Sequence, residues 1–488
     1  MIGYEVRGME GKKGISEDWL SLWIGLFIFI LGLGLFAGLD ILGWGIKTNM
    51  WVDITKALGS VSGTLKGMPG ITSLFLTYLF MLIITEVGAV AMGVNAGRFI
   101  LAFTIVFWIA YGCFLLGNNA YIAANTPAML KSFGIGWSLK LTGEAGFIIA
   151  LIAGLIVGNF FPGFAKLLEP ATRPELYIKT AIVILGAFLG VKAAGALGLA
   201  EAILFRGLCA IVEAYLVYWA VVYFVARKYF KFSREWAAPL ASGISICGIS
   251  AAIATGGAIR ARPVVPIMVS SLVVIFAVVE LLILPFVAQV FLWTEPLVAG
   301  AWMGLAVKTD GAAVASGAIV EGLIRAKAMA VQGINYKEGW MVMTATTVKV
   351  FIDIFIGVWA FILAVIWCAK IECVGGRVKA GEIWERFPKF VLGYAVTFIL
   401  MLLVCLSSAN ALKKANDAVA GMDTFRVLFF VLTFFTIGVV SNFKKLWEEG
   451  IGRLALVYVI CLFGFIIWVG LLISWIFFHG VHPPIITG

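Results

Sequence analysis

The chain has 488 residues, 62% of them hydrophobic and only 13% charged, with a formal charge of +10. A soluble core of that composition would leave too little polar surface to cover it. The mean hydropathy of +1.06 and repeated apolar runs of about 20 residues, the length that crosses a hydrocarbon core, make this an all-α polytopic membrane protein. Basic loops against lipid headgroups account for the positive charge, so the lipid bilayer is the expected partner and nucleic acid is not.

Thirteen apolar runs follow one another, at about 19–45, 70–93, 98–117, 143–161, 178–199, 207–226, 238–260, 263–293, 298–321, 339–369, 388–408, 425–443 and 452–479. The first is preceded by the charged stretch ISEDWLSLW and lacks a small-residue cleavage site, which reads as a retained span. The seventh and ninth also fit re-entrant hairpins. With the N-terminus in the cytoplasm, the basic loops 227–234, 370–389 and 444–453 all fall inside, which predicts a multi-pass plasma-membrane protein with its C-terminus outside. Segments 46–69 and 118–141 are amphipathic and predict short interfacial helices.

The seven cysteines show no metal-type spacing, and the two histidines, His479 and His482, sit at the C-terminal end. A zinc or haem site is not expected, nor is a His proton relay. The chain carries no P-loop and no HExxH, so no enzyme activity is expected. No cofactor is expected beyond H⁺ or Na⁺ as a coupling ion.

Residues 241–262, ASGISICGISAAIATGGAIRAR, are long enough to cross a bilayer but hold almost none of the Leu, Phe and Val of neighbouring runs. Gly243, Gly248, Gly256 and Gly257 predict a helix that breaks, with Cys247-Gly248 at the break. Broken helices offer unpaired N–H groups to a solute. Ser245, Ser250 and the Gly248 backbone would add neutral donors, a cradle suited to a small oxyanion. The other reading is tight helix packing through small residues. Positive charge comes from Lys308, beside Thr309 and Asp310 in the ninth run, and from Lys349 in the tenth. Asp353 lies one turn after Lys349, and in a purely structural reading the two neutralise each other. Glu86, Glu213 and Glu280 are lone carboxylates that either carry a proton or Na⁺ or hydrogen-bond between helices, and Glu280 is the best placed. Asn159, closing GLIVGN, offers an amide to a solute or caps its helix. Runs four to eight and nine to thirteen form two groups of five. Their fourth members, with SGISICGIS and FFTIGVVSNF, predict a pair of interrupted helices.

At these residues the chain resembles a known family, the sulfate-exporter family of conserved bacterial and archaeal membrane proteins. ICGISAAIA (246–254) is similar to its ICGxSAI signature. GEAGFIIALIAGLIVGNFFP (143–162), IVILGAFLGV (182–191), WMGLAVKTDGAAVASGA (302–318), TTVKVFIDIFIGVW (346–359), FPKFVLGYAV (387–396) and FFTIGVVSN (434–442) resemble its other blocks in order. The resemblance covers residues from about 140 to the end. It implies the inverted five-helix repeat of cation/proton antiporters and bile-acid symporters, with two crossing interrupted helices and a homodimer. The expected parts are extra N-terminal helices (1–141), a first repeat (142–296) and a second, inverted repeat (297–488). Lys308-Thr309 stands where the family carries a His followed by an acid, Ala312 where it carries a Gln, and Ile352-Asp353 where a basic residue is expected. Lys does not shuttle protons as His does. The expected function is secondary transport of a small anion, a sulfate-like oxyanion or carboxylate, by elevator-like alternating access. Ser245, Cys247, Gly248, Ser250, Lys308, Thr309, Asp310, Lys349 and Asn159 would bind the substrate, and Asp310 and Glu280 would couple an ion. The alternative is a Na⁺/H⁺ or cation antiporter using Asp310 and Glu280.

Overall fold

The computed structural model describes residues 15–65, 67–124, 127–139, 145–259, 261–262, 264–370, 384, 388–442 and 452–486. Among these residues the protein is almost entirely helical. The principal helices are α1 (Glu17–Leu33), α2 (Gly70–Ala91), α3 (Ala96–Gly117), α4 (Ala145–Phe160), α5 (Pro174–Ala194), α6 (Leu197–Lys228), α7 (Arg234–Ser245), α8 (Ile249–Ala258), α9 (Val264–Phe291), α10 (Pro296–Ala306), α11 (Asp310–Gln332), α12 (Trp340–Ile354), α13 (Ile356–Lys370), α14 (Lys389–Ser407), α15 (Ala409–Val440) and α16 (Gly452–Phe478). A two-stranded antiparallel hairpin, Ile46–Thr48 with Leu58–Ser60, lies between α1 and α2. Short helices Ala120–Ala123 and Pro127–Phe133 occupy the second amphipathic segment.

Ten helices among the described residues are long and apolar enough to cross a membrane, and eleven spans result if the bent pair beginning with α4 is counted. Thirteen was the sequence expectation. The two runs left over, 238–260 and 298–321, are helical hairpins that enter and leave by the same face. In the first, Ser242 on α7 accepts a 2.7 Å hydrogen bond from Thr255 on α8, and Glu235 at its start pairs with Arg262 at its end. At about 1.5 Å per residue neither α7, of 12 residues, nor α8, of 10, can cross alone. In the second, α10 starts beside Glu295, whose carboxylate accepts from Gly480 N–H. Lys327, near the end of α11, returns to donate to the Gln289 carbonyl at the end of α9. The first hairpin therefore opens on the face of the N-terminus and the second on the face of the C-terminus.

The helices pack as two groups. In one, α5 is buried against α1, α14 and α15, and α4 lies on α15. In the other, the hairpins pack with α9, α12, α13, α16 and the end of α6. Lipid tails are as apolar as leucine, so these groups hold by close packing and by polar contacts between helices. The run FFTIGVVSNF is not interrupted: α15 continues unbroken to Val440. Its glycine serves a different purpose. A Cβ on Gly438 would collide with the Leu151 carbonyl, and one on Gly154 would collide with the Phe435 carbonyl, so the two glycines let α4 and α15 cross backbone to backbone. Asn159 locks that crossing by donating to the Ser441 carbonyl at 2.8 Å. The second interruption lies instead at Val307–Thr309, in the ninth run.

Candidate functional site between the hairpin tips

The first tip is shaped by Gly248. Its φ of +71° and ψ of −107° are glycine conformations. A Cβ there would also lie 2.5 Å from Val273 Cγ1 and 2.9 Å from the Lys308 carbonyl. The second distance shows that the tips of the two hairpins touch, since Lys308 lies in the break between α10 and α11. That break is a helix start buried inside the bundle. Thr309 is the N-cap, its hydroxyl accepting from Ala312 N–H at 3.3 Å, and Asp310 is the first residue of α11, where the dipole favours a carboxylate.

Each interrupted helix ends in carbonyls that have lost their partners, and in each hairpin a lysine takes the place of the missing N–H. Lys349, reaching in from α12, donates to the Ile246 carbonyl at 2.8 Å. Lys308 Nζ turns back to the Leu305 carbonyl of α10 and lies 4.8 Å from the centre of the Tyr218 ring. An ammonium group at a helix C-terminus also offsets the negative end of the dipole. Both side chains are almost fully buried, at 1% exposure.

Three carboxyl groups share this space. Glu280 on α9 accepts the Lys308 backbone N–H at 2.9 Å and the Tyr458 hydroxyl at 3.1 Å. Asp310 lies 3.9 Å from Lys349 Nζ. Asp353 comes from the next turn of α12, and one ligating atom from each of Cys247, Asp310 and Asp353 falls within 4.8 Å of the others. Neither Asp353 oxygen, nor Asp310 Oδ1, nor Ser245 Oγ has a hydrogen-bond partner among the described residues. Buried polar atoms in that state are costly. Two carboxyl groups can bond one another only by sharing a proton. With both lysines charged, two ammonium groups face three carboxyl groups, and these five side chains are neutral together when one proton or monovalent cation is held with them. Cys247, Asp310 and Asp353 offer ligand atoms for such a cation, while the neighbouring ammonium of Lys349 opposes a divalent one.

The structure gathers Ser245, Cys247, Gly248, Lys308, Thr309, Asp310, Lys349 and Glu280 at the tips. Ser250 is the second residue of α8, and its side chain lies outside the described residues. Asn159 belongs to the crossing of α4 with α15 and joins none of these groups. Asp353, which the purely structural reading pairs with Lys349, also meets Asp310 and Cys247. Sequence reasoning passed over Tyr458, and over Tyr215 and Tyr218, which a π-helical turn over Glu213–Tyr218 sets towards the site. Tyr215 OH donates to the Ile352 carbonyl. Such turns recur at functional sites.

A small cavity of about 20 Å³ reaches the tips from the side of α5, between Glu175, Ile178, Ala277, Thr309 and Gly311. Near it, Lys179 bonds Asp18 at 2.7 Å and Glu175 at 3.3 Å. A larger cavity of about 200 Å³ lies further along the same α5–α11 seam, towards the C-terminal face, between Leu185, Phe188, Ala318 and Glu321.

The family model described as conserved hypothetical protein 698 matches residues 136–457. The chain is 42% identical over 478 residues to a UPF0324 membrane protein of Nitrosomonas europaea, covering 96% of this chain and 97% of that one. It is 30% identical over 424 residues to a UPF0324 membrane protein of Nitratidesulfovibrio vulgaris, with 85% and 65% covered. An uncharacterized protein of Archaeoglobus fulgidus is 49% identical over 166 residues, 30% of this chain and 89% of that one. No solved structure matches.

Proposed function

The chain belongs to the conserved hypothetical protein 698 family of membrane proteins, and from that premise we propose that it is a secondary transporter of a small anion. One observation carries the reading: two hairpins that enter from opposite faces touch tip to tip among five buried ionisable side chains. Irregular backbone and charge at membrane depth are expensive and are kept where a solute passes. The hairpin group meets the other group along α5 and α11, a seam along which an elevator-like displacement would carry the tips from one face to the other. Hairpins opening on opposite faces are also what an inverted repeat would produce. Arg262 returns to the face of the basic loops in this topology, which favours the N-terminal face as cytoplasmic.

In this reading Lys308 and Lys349 exchange a carbonyl contact for the anion. Gly248, Ser245 and Cys247 line its backbone-side cradle. Because the cluster is neutral with one proton or cation aboard, an added anion charge calls for one more, so anion movement would be coupled to H⁺ or Na⁺ through Asp310 and Asp353. The purified protein in liposomes should take up sulfate, sulfite or a small carboxylate. Lys308→Ala and Lys349→Ala should each abolish uptake, and uptake unchanged in both variants would remove the site assignment.

A second reading, cation exchange, is favoured by the unpartnered oxygens of Asp310 and Asp353 beside Cys247. It predicts cation flux in the absence of any transported anion, and loss of that flux in Asp310→Asn. The same liposomes with and without sulfate separate the two.

A further inference from the structure

The 200 Å³ cavity near the C-terminal face is lined by Glu321, Arg325, Glu338, Arg426 and Asn118 among mostly apolar side chains. Its two carboxylates are held differently. Glu321, on α11, is committed to structure: its oxygens accept the backbone N–H groups of Gly339, Met341 at 2.8 Å and Val342 at 3.1 Å, which fasten the start of α12. Glu338 sits on the loop before α12, with its side chain 53% exposed, and rests on cations alone. Lys192 Nζ is 3.2 Å from one of its oxygens and Arg325 Nη1 is 3.7 Å from the other. Arg426 faces the same space, its guanidinium stacked 5.3 Å from the Phe188 ring and 5.1 Å from the Phe430 ring, with its Nε on Asp423 at 2.5 Å. Partial burial works to raise the Glu338 carboxyl, but Lys192, Arg325 and Arg426 outweigh it and hold the group below the usual carboxylate range.

Two cations therefore pair with a carboxylate that accepts no backbone N–H among the described residues, and Arg426 adds its charge from across the cavity. The loop beneath it does not have to move, because the chain's last residues clamp it: Lys337 N–H donates to the Pro484 carbonyl, and Ile486 N–H to that of Asn335. The cavity, of about 200 Å³ and open on the side of Glu338, has room for a compact anion. Guanidinium groups recognise planar or tetrahedral oxyanions through paired N–H donors.

We propose that this cavity is a second, peripheral anion site, built for a small oxyanion, and that the Glu338 carboxylate is the resident counter-ion which the oxyanion displaces. The site takes sulfate or a short carboxylate before the anion moves along the α5–α11 seam to the hairpin tips. That onward step rests on the transporter reading, whereas the binding does not.

The test is sulfate titration of the purified full-length protein by calorimetry, at constant ionic strength with chloride as the balancing anion. Glu338→Gln removes the competing charge and should tighten sulfate binding about two- to fivefold, the scale of one partly screened charge contact. Arg325→Gln and Lys192→Gln should each weaken it, and neither side chain is fully buried, so both variants are expected to fold. The tightening by Glu338→Gln should persist in a Lys349→Ala background, where binding at the tips is lost, which separates the peripheral site from the tips. A Glu338→Gln protein whose sulfate affinity is unchanged or lower overturns the proposal. If the affinity rises as stated while liposomes show no anion uptake, the transporter reading fails and the binding site stands.

Discussion

The contact between Lys349 and Asp310 can be weighed before any substrate is known. The charges lie 3.9 Å apart and both side chains are almost fully buried. At an effective dielectric of about 20, two unit charges at that distance attract by about 4 kcal/mol. Lys349→Met removes this attraction and also the bond to the Ile246 carbonyl, so the single variant should lose about 3–5 kcal/mol, the usual cost of stranding one member of a buried pair. Asp310→Asn keeps the shape of the side chain and removes only the charge. The double variant should then be more stable than the sum of the two losses predicts, by about 2–4 kcal/mol. The carbonyl bond to Ile246 cancels in that comparison, which isolates the pair. Unfolding in mixed micelles, followed by circular dichroism across an SDS titration, measures all four corners of the cycle. Losses that add to within about 0.5 kcal/mol would mean that the two groups do not interact, and the charge balance drawn for the hairpin tips would fall with them.

Other outcomes follow from single positions. Gly248→Ala forces a Cβ onto Val273 and the Lys308 carbonyl at a backbone conformation L-residues avoid, and should lower the unfolding free energy by about 2–5 kcal/mol. Gly154→Leu should separate α4 from α15 and lower the thermal midpoint, whereas Gly163→Ala, in open space, should not. Glu338 has a depressed carboxyl in the folded protein, so its share of stability is complete above the ordinary glutamate value, near 4.3. That share is lost as pH falls through the lower folded value. Glu338→Gln should therefore narrow the acid-side fall in midpoint temperature, read by melts from pH 6 to pH 3.

The spans were legible because apolar length is written directly in the sequence, and the first hairpin tip because SGISICGIS lacks Leu, Phe and Val as well as holding glycine. The error over FFTIGVVSNF shows the limit of that signal. Glycine serves a break and a close crossing equally, and the Phe and Val residues around Gly438 marked a packed helix. The true second break carried a different sign. Thr309 followed by Asp310, an N-cap and a first-turn acid within an apolar run, announces a helix start where none is needed for a simple span. The contact of Asp353 with Asp310 and Cys247 was not legible, because spacing along one helix shows which residues share its face, but not what another hairpin brings to that face.

Lys349 fastens a carbonyl made 103 residues earlier in the chain. At synthesis rates of about 5–20 residues per second, the first hairpin waits roughly 5–20 seconds for the ammonium that closes its tip. Until α12 emerges, residues 234–262 have helices on either side but no cation at the break, and they are too short to be threaded across as a pair of spans. The contact that closes the tip is thus made late. A nascent chain stopped before Lys349 should leave that segment open to protease or to a thiol reagent at Cys247.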